Sequence, residues 1–384
     1  MRLLIFHLAS VFGGAERTTQ NLLRHLDRDV VNHVTVAAPA ALRDLLASPM
    51  DSFVDTGPSI KRGWYSTPSD LLEDVRASAR LIDQSQPDLI LGMMHYSAAL
   101  AVLGARAASV STKTVASYRG PVFEHMRRYE SGLRRNVFLR FAVGGTARLA
   151  NRVVVPSEGT ARELSRRFFG SRRRTVVIAN GIDSDAVRTA ARELAPELER
   201  LPRGLPRLCV AARLAPEKDL WVLLRAFKLL QERQPAALIV VGEGPDRDAM
   251  ESQVEEWGLA GRVVFVGHRY NVYPYIGRAQ LYVHTCQFEG FGYTMLEAMA
   301  CGTPVIATDC PYGPREVIGQ NHFGVLTPPG DVSALADAIA TLLADPAKLQ
   351  RLSMLGRDRA EQLSISRMVR SYESVFTSLH PGHA

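Results

Sequence analysis

Short apolar runs alternate with stretches of helical periodicity along most of the chain. Leu3–Leu8 reads as a buried strand, and Gly13-Gly14 opens a helix expected to reach about Leu26. Val34–Ala38, Leu89–Met93, Thr114–Ser117 and Arg152–Pro156 read as further strands, with helical patterns between most of them. The rhythm breaks at 184–206, where Pro196, Pro202, Gly204 and Pro206 cluster. It restarts with a strand at Arg207–Ala212 and a helix at Leu220–Gln234. Later strands are expected at Ala237–Val241, Val263–Val266, Leu281–His284 and Pro304–Thr308, and helices at 332–343 and 364–379. Strands that alternate with helices call for parallel sheets with crossover helices, so the fold class is α/β. The break divides the chain into a domain at 1–184, a linker at 185–206 and a second domain at 207–363. The last segment, 364–384, is expected to return to the first domain. Ligands of two doubly wound sheets lie outside the carboxyl ends of the strands, here in the cleft between two Rossmann-like domains.

Composition adds limits. At 384 residues and 46% hydrophobic, the chain has material for two cores. No apolar run approaches the roughly 20 residues of a membrane span. The N-terminal run is too short for a signal-peptide core and lacks a small-residue cleavage site, so it reads as the first strand. Cys209, Cys286, Cys301 and Cys310 form no CxxC pair. They read as reduced, buried, small hydrophobes, which points to a cytoplasmic protein.

The formal net charge of +7 is unevenly spread. Residues 119–174 hold 14 Arg and 4 Glu without Lys or Asp, a local +10 against about −3 elsewhere. An anionic partner follows: membrane, nucleic acid or a phosphorylated substrate. No nucleic-acid-binding motif accompanies the charge, so nucleic acid is not expected. Read as one helix, 126–141 sets Met126, Tyr129, Leu133 and Val137 along a stripe flanked by Arg127, Arg128, Arg134 and Arg135. That is an interfacial pattern, and it makes the basic 127–174 region a candidate for docking at the inner face of the cell membrane. Packing of the stripe on the domain core is the competing expectation.

The densest chemical signal runs from His284 to Ala307. A strand ends, a loop carries Glu289, Gly290, Phe291 and Gly292, a helix carries Glu297, and Gly302-Thr303-Pro304 turns into the next strand. The glycines permit close backbone approach, and the amides at the helix start favour a diphosphate. Glu289 and Glu297, eight positions apart, resemble the E-x7-E motif of family 4, the large retaining group of GT-B glycosyltransferases. The run Ala298–Ala307 is also similar to that family, and the likeness covers nearly the whole chain.

This resemblance implies glycosyl transfer from a nucleotide-sugar. The Cys310–Ile318 segment is similar to that of polysaccharide and lipid-linked oligosaccharide enzymes using UDP-hexoses or UDP-N-acetylhexosamines, so it implies a UDP-linked donor and a saccharide or lipid-linked acceptor. Arg213 and Lys218 in Ala212–Asp219 resemble the R-x4-K element that holds the donor diphosphate, where fixed cations stabilise the departing charge. Gly13 and Gly14 in Val11–Arg17 match the glycine-rich first turn on the donor. Glu297 would hold the ribose and Glu289 the sugar hydroxyls. Gly267–Val272, with Arg269, would border the base. Gly242–Pro245 and Asn180–Asp183 resemble segments expected to serve packing. Many members place a His where Arg119 stands here, so Arg119 is the candidate beside the reacting sugar. His95, Glu124 and His125 are acceptor-side candidates. No Asp-x-Asp motif is present, so neither an essential metal nor a separate cofactor is expected. The alternatives are an isomerase similar to UDP-N-acetylglucosamine 2-epimerases, which needs no acceptor, and a non-catalytic protein of polysaccharide assembly.

Overall fold

A computed structural model describes residues 1–8, 13–46, 48–57, 60 and 67–380. The chain divides into two compact units, one of Met1–Gly181 with the segment from Ile365 onward, the other of Ile182–Ser364.

The first unit holds a seven-stranded parallel sheet: β1 (Arg2–His7), β2 (His33–Ala38), β3 (Ser52–Asp55), β4 (Leu89–Met93), β5 (Lys113–Ser117), β6 (Arg152–Val155) and β7 (Thr175–Val177). The order is β3-β2-β1-β4-β5-β6-β7, so the winding reverses between β1 and β4. Central strands are buried along nearly their whole length, as a sheet covered on both faces requires. The helix Ile365–Leu379 sets Met368, Val369, Tyr372 and Phe376 into the same core as Leu3, Ile5 and Val36.

The second unit holds a six-stranded parallel sheet: β8 (Arg207–Ala211), β9 (Ala237–Val241), β10 (Val263–Gly267), β11 (Leu281–His284), β12 (Val305–Thr308) and β13 (Val325–Thr327). Its order is β10-β9-β8-β11-β12-β13, with the reversal between β8 and β11.

Two expectations change. Residues 185–206 belong to the second unit and carry the helix Ser184–Ala190 and a 3-10 turn at Pro196–Arg200. The prolines mislead because Pro196 starts that turn, where a missing N–H costs nothing. The expected helix over 126–141 is two helices, Val122–Tyr129 and Leu133–Leu149, parted at Gly132 with φ of 91°. Met126 leaves the proposed stripe for the core, while Tyr129, Leu133 and Val137 stay exposed. Among the described residues, no helix is long and apolar enough to cross a membrane.

Candidate functional site

In an open parallel sheet, neighbouring connections diverge where the winding reverses, leaving a crevice at the carboxyl edge. In the second unit that point lies between β8 and β11. The loop after β8 carries Arg213 and Lys218, and the loop after β11 carries Glu289. The two loops are stitched together: Gln287 N–H donates to the Glu217 carbonyl (2.9 Å) and the Thr285 hydroxyl to the Lys218 carbonyl (2.9 Å).

The Arg213 loop is also fixed from the other side. Ala212 and Leu214 donate backbone N–H groups to Val241 and Glu243, at 3.0 and 2.8 Å. A Cβ on Gly242 or Gly244 would collide with the carbonyl of Ala212 or Leu214. The glycines of the Gly242–Pro245 turn thus let two loop backbones touch, the packing role expected of them.

Lys218 Nζ donates to Glu289 Oε2 at 2.7 Å. His284 Nε2 lies 3.6 Å from the same oxygen, and Gly290 N–H donates to Oε1 at 3.1 Å. Burial opposes both charges of the Lys218–Glu289 pair. Their mutual attraction prevails, holding Lys218 above the usual lysine range and Glu289 below the usual carboxylate range. The backbone of Glu289 is pinned as well: its N–H donates to the Pro311 carbonyl (2.7 Å), and its carbonyl accepts from Tyr312 and Gly313 (2.8 and 2.9 Å). Gly292, with φ of 92°, caps the helix Tyr293–Cys301. Phe291 is buried beside Gly313, whose missing side chain admits the Phe291 backbone.

Other expected residues of this unit stand nearby in the chain's own bonding. Arg213 pairs with Glu217 but is largely exposed. Glu297 is buried in the helix after the loop and accepts from the Tyr273 hydroxyl at 3.4 Å. Arg269 is held by Glu197 (2.6 Å) and Tyr275 (3.2 Å). Sequence reasoning misses Glu197, Glu217 and Tyr273, since nothing in their local pattern separates them from ordinary surface residues.

In the first unit, the reversal between β1 and β4 sets Gly13-Gly14 after one strand and His95 after the other. Gly13 and Gly14 are exposed at the start of the helix Gly14–His25; Val11 and Phe12 lie outside the described residues. Beneath the turn, buried His7 bonds Glu16 (2.9 Å) and Thr19 (2.8 Å). Arg119 donates to Asn180, to Thr18 (3.1 Å) and to the Tyr372 hydroxyl (3.1 Å). It ties three segments of the unit together, a structural duty that its motif position does not suggest. Burial and then the neighbouring His125 push the His95 imidazole down to about 3, so it is neutral at ordinary pH. His125 lies against Tyr129 with ring centroids 4.8 Å apart and the rings tilted by 47°, and Glu124 pairs with Arg127 at 2.9 Å.

Two units, each with a doubly wound parallel α/β sheet, define a class by architecture: the GT-B fold. The comparisons agree. Residues 192–359 match the family model for glycosyl transferases group 1, and residues 12–186 match that for glycosyltransferase family 4. A crystal structure of Anabaena Alr3699/HepE in complex with UDP-glucose superposes with a TM-score of 0.80, at 23% identity over 98% of this chain and 100% of that one. The chain belongs to the group 1, family 4 glycosyltransferases and has the GT-B fold. An exopolysaccharide phosphotransferase of Streptomyces coelicolor is 29% identical over 48% of this chain and 21% of its own length. The N-acetylgalactosamine-N,N'-diacetylbacillosaminyl-diphospho-undecaprenol 4-alpha-N-acetylgalactosaminyltransferase of Campylobacter jejuni is 26% identical over 51% of this chain and 52% of its own length. The matched part therefore spans from a fifth to about half of these relatives.

Proposed function

We propose that the chain transfers a hexose or N-acetylhexosamine from a UDP-sugar to a saccharide or lipid-linked acceptor, with retention of the anomeric configuration. The Lys218–Glu289 pair at the β8/β11 reversal carries this reading. Lys218, with Arg213, meets the diphosphate, and Glu289 meets the sugar hydroxyls. As the nucleoside diphosphate departs, the fixed ammonium stabilises charge without reorganising. The acceptor hydroxyl attacks on the face the phosphate leaves, and a phosphate oxygen takes its proton. No carboxylate nucleophile is needed, unlike the paired carboxylates of retaining hydrolases. Glu297 holds the ribose, Arg269 and its loop border the base, and Gly13-Gly14 lie against the donor. Arg119 stands beside the reacting sugar, and His95, Glu124 and His125 serve the acceptor side. The relatives' named activities on undecaprenol-linked and polysaccharide substrates support a lipid-linked or polymeric acceptor.

A screen of UDP-, GDP- and ADP-sugars for donor turnover in EDTA, with the product anomer read by NMR, tests this reading. Turnover of a UDP-sugar undiminished by EDTA, with a retained anomer, is expected. A strict need for Mg²⁺ or Mn²⁺, or an inverted product, overturns the mechanism. On the preferred donor, Glu297→Gln is expected to raise KM mainly, because a ribose contact is made equally in ground and transition states. Glu289→Gln is expected to lower kcat mainly. The opposite pattern in initial-rate kinetics means the roles are exchanged.

The same reading includes docking of the first unit on anionic membrane. Of ten exposed large hydrophobic side chains among the described residues, six fall within 129–169: Tyr129, Leu133, Val137, Phe141, Leu149 and Phe169. They share that span with the arginine excess. A lipid-linked acceptor presents its sugar at such a surface.

A further inference from the structure

Beneath Glu289 lies a set of ligand atoms that glycosyl transfer does not use. Cys286 follows β11 by two residues, and Cys310 follows β12 by two, so adjacent parallel strands bring both thiols to one sheet edge. Their sulfurs are 3.1 Å apart. Cys286 Sγ is 3.4 Å from His284 Nε2, and that nitrogen is 3.6 Å from Glu289 Oε2. All four residues are buried or half-buried.

We propose that His284, Cys286, Cys310 and Glu289 form a binding site for a thiophilic divalent cation of the Zn²⁺ type, whose occupation takes Glu289 away from Lys218. The spacing fits. A tetrahedral zinc with bonds of about 2.0–2.3 Å sets neighbouring ligand atoms about 3.3–3.8 Å apart; the Cys286–His284 and His284–Glu289 separations, 3.4 and 3.6 Å, lie in that range, and the sulfurs, 3.1 Å apart, must part slightly to admit the ion. His284, Cys286 and Glu289 alone keep their ligand atoms within 4.8 Å of one another. The imidazole is oriented for ligation, with Nδ1 lying 3.4 Å from the Thr294 hydroxyl and Nε2 turned toward the sulfur and carboxylate. Such an outer partner fixes the tautomer of a metal-bound histidine.

Charge also balances. The charged groups around the cluster are Lys218 and Glu217 from the loop after β8 and Glu289 from the loop after β11. A metal takes cysteine as thiolate and histidine as neutral imidazole, so a divalent cation displaces the protons these ligands carry. In the loaded site two thiolates, a carboxylate and a neutral imidazole leave one negative charge on the Zn²⁺ complex, which the Lys218 ammonium offsets. This differs from an activating metal: the proposed transfer runs without it.

The site is decided by binding. The full chain, reduced with a phosphine and with its four thiols verified by titration, is mixed with Zn²⁺ in calorimetry and with Cd²⁺ in ultraviolet absorbance. One equivalent should bind, with a cadmium–thiolate absorption band and net proton release seen across buffers of different ionisation enthalpy, because thiol ligands bind as thiolates. Cys310→Ser and Cys286→Ser, each checked for an unchanged melting temperature, should weaken binding at least tenfold. Absence of the thiolate band, or full affinity in a folded Cys310→Ser protein, overturns the site. Loss of donor turnover on binding rests on the role given to Glu289 above. Stoichiometric binding with turnover intact would keep the site and refute that role, whereas failure of binding leaves the transfer reading standing.

Discussion

Replacing Lys218 by alanine is expected to cut kcat/KM for donor turnover by about 10²–10³, while leaving the protein folded. Removing one preorganised donor from an oxyanion-type site costs on the order of 3 kcal/mol of transition-state stabilisation. Lys218 Nζ is placed to act this way because it is held on Glu289 at 2.7 Å, in a loop fixed to its neighbours by backbone bonds. The fold should survive because Glu289 keeps His284 Nε2 at 3.6 Å and the Gly290 amide at 3.1 Å, so the carboxylate is not left buried without a partner. Loss of Lys218 also exposes an unscreened Glu289 to the incoming diphosphate. Glu289→Gln in the same protein removes that repulsion, so the double variant should lose less than the product of the two single losses. Arg213, largely exposed and occupied by Glu217, should show the same direction with a smaller loss. A Lys218→Ala protein with an unchanged melting temperature and wild-type turnover would remove Lys218 from the diphosphate site.

Much of this is legible in the sequence because the signals are strong where burial is complete. The central strands β1, β4, β8, β9 and β11 are buried along nearly their whole length, and apolar runs mark each within a residue or two. The strands that no such run marks, Ser52–Asp55, Thr175–Val177 and Val325–Thr327, are three of the four at sheet edges; the fourth, β10, is mostly buried and its apolar run shows. They are short and only half-buried, so their apolar positions are not continuous. Glu289 and Lys218 stand out as motif members, but their pairing joins positions 71 residues apart and needs the β8/β11 reversal to appear. The cysteine spacing suggests inert core residues. All four are free and three are buried, as that reading expects, but the approach of Cys286 to Cys310 is not legible, because the strand order that unites them is not written in either local sequence. His284, two residues before Cys286 at a strand end, is the available hint. Arg119 is legible as a motif position, but its bonds to Thr18, Asn180 and Tyr372 join segments far apart in the chain and need the fold to appear.

Vesicles rich in phosphatidylglycerol are expected to retain the protein at low salt, and the Arg128, Arg134, Arg140 and Arg148 to Ser variant is expected to be released by roughly two to three orders of magnitude in partition. Each cation near an anionic surface contributes about 1 kcal/mol, so four account for a change of that size. The set differs from the one the sequence suggests. Arg135 is held by Glu130 at 3.0 Å and Arg127 by Glu124 at 2.9 Å; Arg128, which lies over the Tyr129 ring, and Arg134, Arg140 and Arg148 are exposed. On the helix Leu133–Leu149, Leu133, Val137 and Phe141 fall at successive steps of four, and at about 100° per residue Arg134, Arg140 and Arg148 lie within about 60° of the stripe's middle. Leu133 is 81% exposed and Phe141 71%, so packing on the core does not explain either apolar side chain. A lone exposed leucine is ordinary, but a row of three beside arginines is the pattern that interfacial helices present. Leu133→Ser with Phe141→Ser should weaken binding even at high salt, where the arginine contribution is screened within a Debye length of about 8–10 Å. That separation of salt-sensitive and salt-resistant losses distinguishes an inserted helix from a loosely attracted basic surface. Co-sedimentation unchanged in the quadruple arginine variant, or equal binding to neutral phosphatidylcholine vesicles, would refute docking through this helix.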